Sequence, residues 1–225
     1  MGFLTGLASV NETLNKRSGG DFEERVKAKW LSLKDGESAK IIFLQELDEG
    51  SPNYSEKNGV AKFFLEHSNP DNWRKKAECT VDEGTCYGCQ RGWRQSVMMY
   101  VNVLVDNGKD EPYVAVYSRG TGKGSVAKQL LEIAADEDFN HSISDKLFKF
   151  SRTGKTKDDT TYTLGILKAH DKSVDDYELY DLTKVVFHVN PDRQEAYYLD
   201  GQEAEAGAPA AAAKPASAHS IDADW

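Results

Sequence analysis

Val97-Met98-Met99-Tyr100-Val101-Asn102-Val103-Leu104-Val105 carries the strongest buried-strand signal in the chain. It holds no charge, no glycine and no proline, and its β-branched and aromatic side chains suit a buried strand. Asn107-Gly108 closes a turn after it, and Pro112–Tyr117 (PYVAVY) returns as its partner. Upstream, Trp30–Lys34 (WLSLK) alternates as a half-buried strand does, and after Asp35-Gly36 a second strand is expected at Ala39–Leu44 (AKIIFL). A polar loop through Ser51-Pro52-Asn53 and Asn58-Gly59 leads to a third, Val60–Glu66 (VAKFFLE). Downstream, Lys123–Ala135 (KGSVAKQLLEIAA) places Val126, Leu130, Leu131, Ile133 and Ala134 at helical spacing. Strands resume at Lys146–Ser151 (KLFKFS) and Tyr162–Lys168 (YTLGILK), joined by the charged turn Arg152–Asp159. Residues 175–198 are expected to pack back onto the resulting barrel.

This order predicts a mainly β fold with one or few helices: an OB-fold-like barrel whose helix falls between its third and fourth strands. The stretch from about 67 to 94 has no sustained period and reads as an inserted metal-binding subdomain. The expected organisation is an N-terminal arm over 1–24, a core over 25–200, and a disordered linker with an acidic tip over 201–225, both termini being flexible.

With 39% hydrophobic and 29% charged residues, the composition is that of a soluble globular protein. No apolar run approaches a membrane span, and the start lacks the basic region and long apolar stretch of a signal peptide. A myristoylation reading of Gly2 finds no polybasic support nearby. The expectation is therefore a cytoplasmic protein with no membrane partner. The net charge of −9 opposes nucleic acid as a whole, so any such surface must be local.

The only cysteines are Cys79, Cys86 and Cys89, and with His67 they form the pattern H-x11-C-x6-C-x2-C. An odd count in one short stretch disfavours a disulfide framework. The C-x2-C pair lets two thiolates reach one ion from a tight turn closed by Gly88. Three thiolates and one imidazole suit one tetrahedral Zn²⁺ with no position left for water, hence a structural ion. The blander alternative is three buried or redox cysteines with His67 merely ending a strand; His141, His170 or His188 could also supply the fourth ligand.

Aromatic and basic residues mix on both sides of this loop: Trp73, Arg74, Lys75 and Lys76 before Cys79, then Arg91, Trp93 and Arg94 after Cys89, with Tyr87 between. Tyr100 lies on the central strand. Tyr113 and Tyr117, four apart, share a face of its partner and are followed by Arg119, Lys123 and Lys128. A second basic set is Lys146, Lys149, Arg152, Lys155 and Lys157. Single-strand binders need aromatic faces and a cationic groove. The competing reading is that strand aromatics pack a core and turn cations meet solvent; Tyr87 and Trp93, clamped by metal, are the better stacking candidates. No catalytic constellation is visible, and Arg119-Gly120-Thr121-Gly122-Lys123-Gly124-Ser125 holds P-loop residue types in the wrong spacing.

Cys86-Tyr87-Gly88-Cys89-Gln90, with His67 and Cys79 upstream and Tyr100–Val105 downstream, resembles the single-stranded DNA-binding proteins of T4-like and other tailed phages. The resemblance implies an OB fold with a zinc subdomain held by His67, Cys79, Cys86 and Cys89. It also implies an aromatic at Tyr100 in the DNA cleft, and basic contacts at Arg119 and Lys123. Lys16-Arg17-Ser18 is similar to a reduced form of the family's basic arm, which makes self-association through the arm a candidate. The segment between Cys79 and Cys86 is shorter than that family implies, and the tail is an Ala/Pro linker instead of a long acidic domain. Its end, with Ile221, Asp222, Asp224 and Trp225, looks like the C-terminal peptides by which bacterial single-strand binders recruit replication and repair enzymes. The implied function is a non-enzymatic protein that coats single-stranded DNA in (phage) replication, recombination and repair, inside a bacterial host, and recruits replication or recombination proteins through its tip. The alternatives are a zinc-stabilised protein-interaction module, a non-catalytic subunit of a replication or nuclease complex, and a zinc-containing enzyme.

Overall fold

The computed structural model describes residues 27–156 and 159–199. The 1–24 arm, Lys157, and Ile221, Asp222, Asp224 and Trp225 of the tip lie outside the described residues. The chain is mainly β. In order, its strands are β1 (Ser38–Phe43), β2 (Lys62–Ser68), β3 (Lys76–Glu78), β4 (Gln95–Asp106), β5 (Tyr113–Gly120), β6 (Lys146–Thr153) and β7 (Thr161–Ala169). Its helices are α1 (Tyr87–Gln90), α2 (Val126–Ala135), α3 (Leu182–Val185) and α4 (Pro191–Leu199).

β4, which contains Val97–Val105, is the pivot. It pairs with β2 along its first half (Phe63 opposite Met99) and with β1 along its second (Ile41 opposite Val105), while β5 runs beside nearly its whole length. β6 and β7 continue from β1, and β3 from β2, giving one seven-stranded antiparallel sheet. Side chains alternate between its faces. One face carries the main core: Ile41, Phe43, Met99, Val101, Val103, Tyr117, Phe148 and Phe150, with Val126, Ala127 and Leu130 of α2. On the other face, Tyr100 and Val116 are covered by Leu182, Val185 and Val186. The buried Asn102 amide fastens that cover: its side chain donates to Tyr180 O and accepts from Tyr180 N, both at 3.0 Å.

The sheet is not closed into a barrel by hydrogen bonds. α2 touches both β5 and β7, and Arg119 of β5 reaches over the Tyr162 ring of β7, 4.4 Å from its centroid. A helix and side chains thus span the gap where a ladder was expected. α2 itself falls between β5 and β6, with Ser125 capping its start by accepting from Lys128 N at 3.1 Å. The strand expected at Trp30–Lys34 shrinks to one parallel bridge, Trp30 with Val116. Leu31 and Leu33 still turn inward into the core, so the alternation is present while the backbone has only the short outer edge of β5 to pair with. Buried Glu46 joins distant loops, its carboxylate accepting from the Ile143 and Ser144 N–H groups at 3.0 and 2.9 Å and from both serine hydroxyls of Ser142 and Ser144.

Candidate metal centre

His67 stands near the end of β2, and Cys79 directly follows β3, which pairs with β2. The Cys79 N–H donates to Leu65 O at 2.7 Å, which fixes that thiol beside the strand. Cys86 caps α1 and Cys89 lies within it, so a single helical turn presents both sulfurs to one side. Gly88, between them, is buried: a Cβ there would lie 2.5 Å from His67 Cγ, so only glycine lets α1 approach the imidazole.

One donor atom from each of His67, Cys79, Cys86 and Cys89 lies within 4.8 Å of all the others, close enough to hold one metal ion. Cys79 and Cys89 Sγ are 3.5 Å apart, and His67 Nε2 is 3.3 Å from Cys89 Sγ. A tetrahedral ion with sulfur at about 2.3 Å needs donor separations of only slightly more. Nδ1 of the buried imidazole has no protein partner. Burial holds the His67 pKa below its ordinary value, which keeps the ring in its ligating form. Burial also pushes the Cys89 thiol up, and with the neighbouring cysteines brings it to about 12. At Cys86 burial acts upward too, but hydrogen bonds from the Cys89 and Thr80 backbone and the other thiols outweigh it and leave the pKa lowered. Three thiols this close cannot all ionise alone; a divalent cation removes that obstacle. Gln95 Nε2 points at Cys79 and Cys89 Sγ, at 3.3 and 3.5 Å, as an outer partner for thiolate charge. The residues present fit a soft divalent ion.

A second device supports the loop, and the sequence reading missed it. Gln194 of α4 is wholly buried; its oxygen accepts from Tyr87 N at 2.8 Å and its amide donates to Thr80 Oγ1 at 2.9 Å. Tyr198 donates to His67 O at 3.3 Å and stacks on Tyr87, with Trp93 edge-on at 4.8 Å. Tyr87 and Trp93, both half-buried, thus pack against Tyr198 of α4.

Other expected contacts are redistributed in the same way. Tyr117 is fully buried between Phe43 and Phe150. Tyr100 is buried on the opposite face, its hydroxyl donating to Glu66. Both are core residues in this fold. Tyr113 is half-buried, with Lys29 Nζ 5.0 Å over its ring. Lys146 is buried and paired with Asp145 at 2.6 Å, so it adds no surface charge. Lys76 pairs with Glu66 at 3.5 Å, Lys128 with Glu132 at 3.9 Å, and Lys75 lies 4.9 Å over Tyr197. Arg74, Arg91, Arg94, Lys123, Lys149 and Lys155 are exposed, and among the described residues Trp73 is the most exposed large apolar side chain at 67%.

An apolar strip that sequence reasoning passed over lies beside the metal centre. Phe63, Leu65 and Val97 are 40%, 38% and 42% exposed. Directly paired residues share a face, so the registers Phe63–Met99, Leu65–Val97 and His67–Gln95 put the strip and the candidate ligand His67 on one surface. Met99 in turn opposes Arg119. The signal was present in VAKFFLE, where apolar residues occupy both alternations: Phe64 turns to the covered face and Phe63 and Leu65 to the open one.

No family model, curated protein or solved structure matches the chain. No helix among the described residues is long and apolar enough to cross a membrane.

Proposed function

We propose that this protein binds single-stranded DNA without catalysing a reaction on it, and that the metal is a structural Zn²⁺. The observation that carries the reading is the open strip Phe63–Leu65–Val97, bounded at one end by the metal centre and on the β5 side by Arg119. Aromatic and apolar side chains on an open sheet face, edged by cations, suit unpaired bases and their phosphates. Exposed Trp73 and the nearby cations Arg74, Arg91 and Arg94 extend that character around the metal loop. The donor set supports zinc: three sulfurs and one nitrogen are soft, and four protein ligands leave no site for a reacting water. The resemblance of the cysteine segment to phage single-strand binders points the same way. In this reading the tip at Ile221–Trp225 recruits replication or recombination proteins, its linker letting it reach them while DNA stays bound.

Photo-crosslinking of oligo-dT followed by peptide mapping tests the surface. Crosslinks are expected in 62–68 and 95–99; crosslinks confined to the face covered by α3 would remove the proposal. Metal analysis of purified protein is expected to give one zinc per chain. The net charge of −9 favours one rival, a zinc-stabilised protein-interaction module, for which no oligonucleotide binding is expected even at low salt.

A further inference from the structure

We infer that the cavity between β5, β7 and the first turn of α2 is a phosphate-ester binding pocket organised around Arg119. The cavity measures about 290 Å³ and is lined by Tyr117, Arg119, Gly124, Ser125, Thr161 and Tyr162, among others. That is several times the roughly 30 Å³ share of one water. Arg119 also bounds the Phe63–Leu65–Val97 strip on its β5 side, so the pocket adjoins that strip, but it does not depend on the strip binding bases.

Four features converge on an anion. The first is α2, ten residues long, whose opening turn leaves the Val126 and Ala127 N–H groups without intrahelical acceptors and points the positive end of its dipole at the mouth. The second is the guanidinium of Arg119. It stacks 4.4 Å over Tyr162, which itself stacks on Phe150 at 5.5 Å and 8°. The Tyr162 ring thus holds the cation in place. Arg119 donates from Nη1 to Ser118 O at 2.8 Å, while its buried Nε has no partner, and no described carboxylate pairs with it. Third, the wholly buried Tyr117 hydroxyl has no partner either. Fourth, no lining residue is acidic; the nearest carboxylate in sequence, Asp159, is tied to the N–H and hydroxyl of Thr156 at 2.6 and 2.7 Å.

The Arg119–Ser125 loop joins these parts. Its spacing is not that of a nucleotide-hydrolysing loop, yet its glycines keep side chains away from the mouth: Gly124, at φ +72°, would meet nothing within 4 Å on gaining a Cβ, and Lys123 beside it is exposed. Immobilised guanidinium, free helix N–H groups and a buried hydroxyl donor match a phosphoryl group's acceptor oxygens. The phosphate can be a diester within a strand or a monoester at a strand end or on a free nucleotide.

The test uses the full-length zinc-loaded chain, with inorganic phosphate, 5′-hydroxyl oligo-dT and 5′-phosphorylated oligo-dT as probes, followed by calorimetry. The variants are Arg119→Gln and Thr161→Glu; the second places a carboxylate at an exposed lining position and disturbs no packing. Each is expected to weaken the occupant about tenfold or more, the scale of losing a charged hydrogen-bond partner. A preference for the phosphorylated strand that both variants erase assigns a monoester. Equal weakening of both strands, with the log–log salt slope shallower by about 0.7, assigns a diester. If neither variant changes the binding of phosphate or of either strand, the inference is overturned. Phosphate binding lost in Thr161→Glu, in a protein whose wild type binds no strand, sustains the pocket and sinks the coating proposal.

Discussion

Gly88 matters to the metal centre through the atom it lacks. With a Cβ 2.5 Å from His67 Cγ, Gly88→Ala must push α1 or the imidazole aside although no ligand changes. Competition against a chromophoric chelator is expected to show at least tenfold weaker metal binding, the scale on which disturbed supporting contacts act; unchanged affinity would mean that α1 packs otherwise. The thiols give a pH dependence whose sign is fixed. With Cys89 at about 12 in the metal-free protein, it is protonated at neutral pH, so ligation must expel its proton. Metal affinity therefore rises with pH, and an indicator dye should record protons released per ion bound. No release would contradict thiolate ligation. The three cysteines were legible in the sequence because their spacing is local and cysteine occurs nowhere else, whereas the choice of His67 over His141, His170 and His188 needed the fold to bring it within reach. Tyr100 and Tyr117 were misread as stacking faces because alternation tells which residues share a face and not which face becomes covered. Both faces of β4 are covered at that point, by α3 on one side and α2 on the other.

At the scale of elements, α4 couples the metal loop to the rest of the chain. The segment 175–198 covers the sheet as expected: Tyr177 and Leu179 pack on Ile42, Leu44 and Leu104, α3 packs on Tyr100 and Val116, and α4 packs Tyr198 against Ala77 of β3, Tyr87 and Trp93. Chelating the ion should therefore raise amide hydrogen exchange in 86–93 and 191–199 together, while β4 and β5 stay protected. Exchange that rises in the cysteine loop alone would deny the coupling. Gln194→Ala leaves the Tyr87 N–H without its acceptor, and the buried Thr80 hydroxyl, which still donates to Thr85 O, loses the amide it accepts from. A loss of about 1–3 kcal/mol is expected in denaturant unfolding. α2, by contrast, was read correctly from its spacing, because its apolar stripe and serine cap are both local signals.

For the whole molecule, strand order was legible and closure was not. Period-2 runs and turn residues mark each strand locally, whereas whether β5 meets β7 depends on what lies between them, here α2 and the Arg119–Tyr162 contact. The function follows the same division. The metal site could be read from spacing, while the Phe63–Leu65–Val97 strip emerged only once the registers showed which apolar residues the fold leaves open. A chain of net charge −9 that binds DNA must do so through a local surface, and its affinity should fall as salt rises. The most direct test is a tryptophan-fluorescence titration of wild type and Phe63→Ala with oligo-dT and with duplex DNA across a salt series. Wild type is predicted to prefer the single strand and to weaken with salt, and Phe63→Ala to lose about 1–3 kcal/mol, as removal of one stacking aromatic does. Equal affinity for duplex, or no binding of oligo-dT at low salt, would contradict the account.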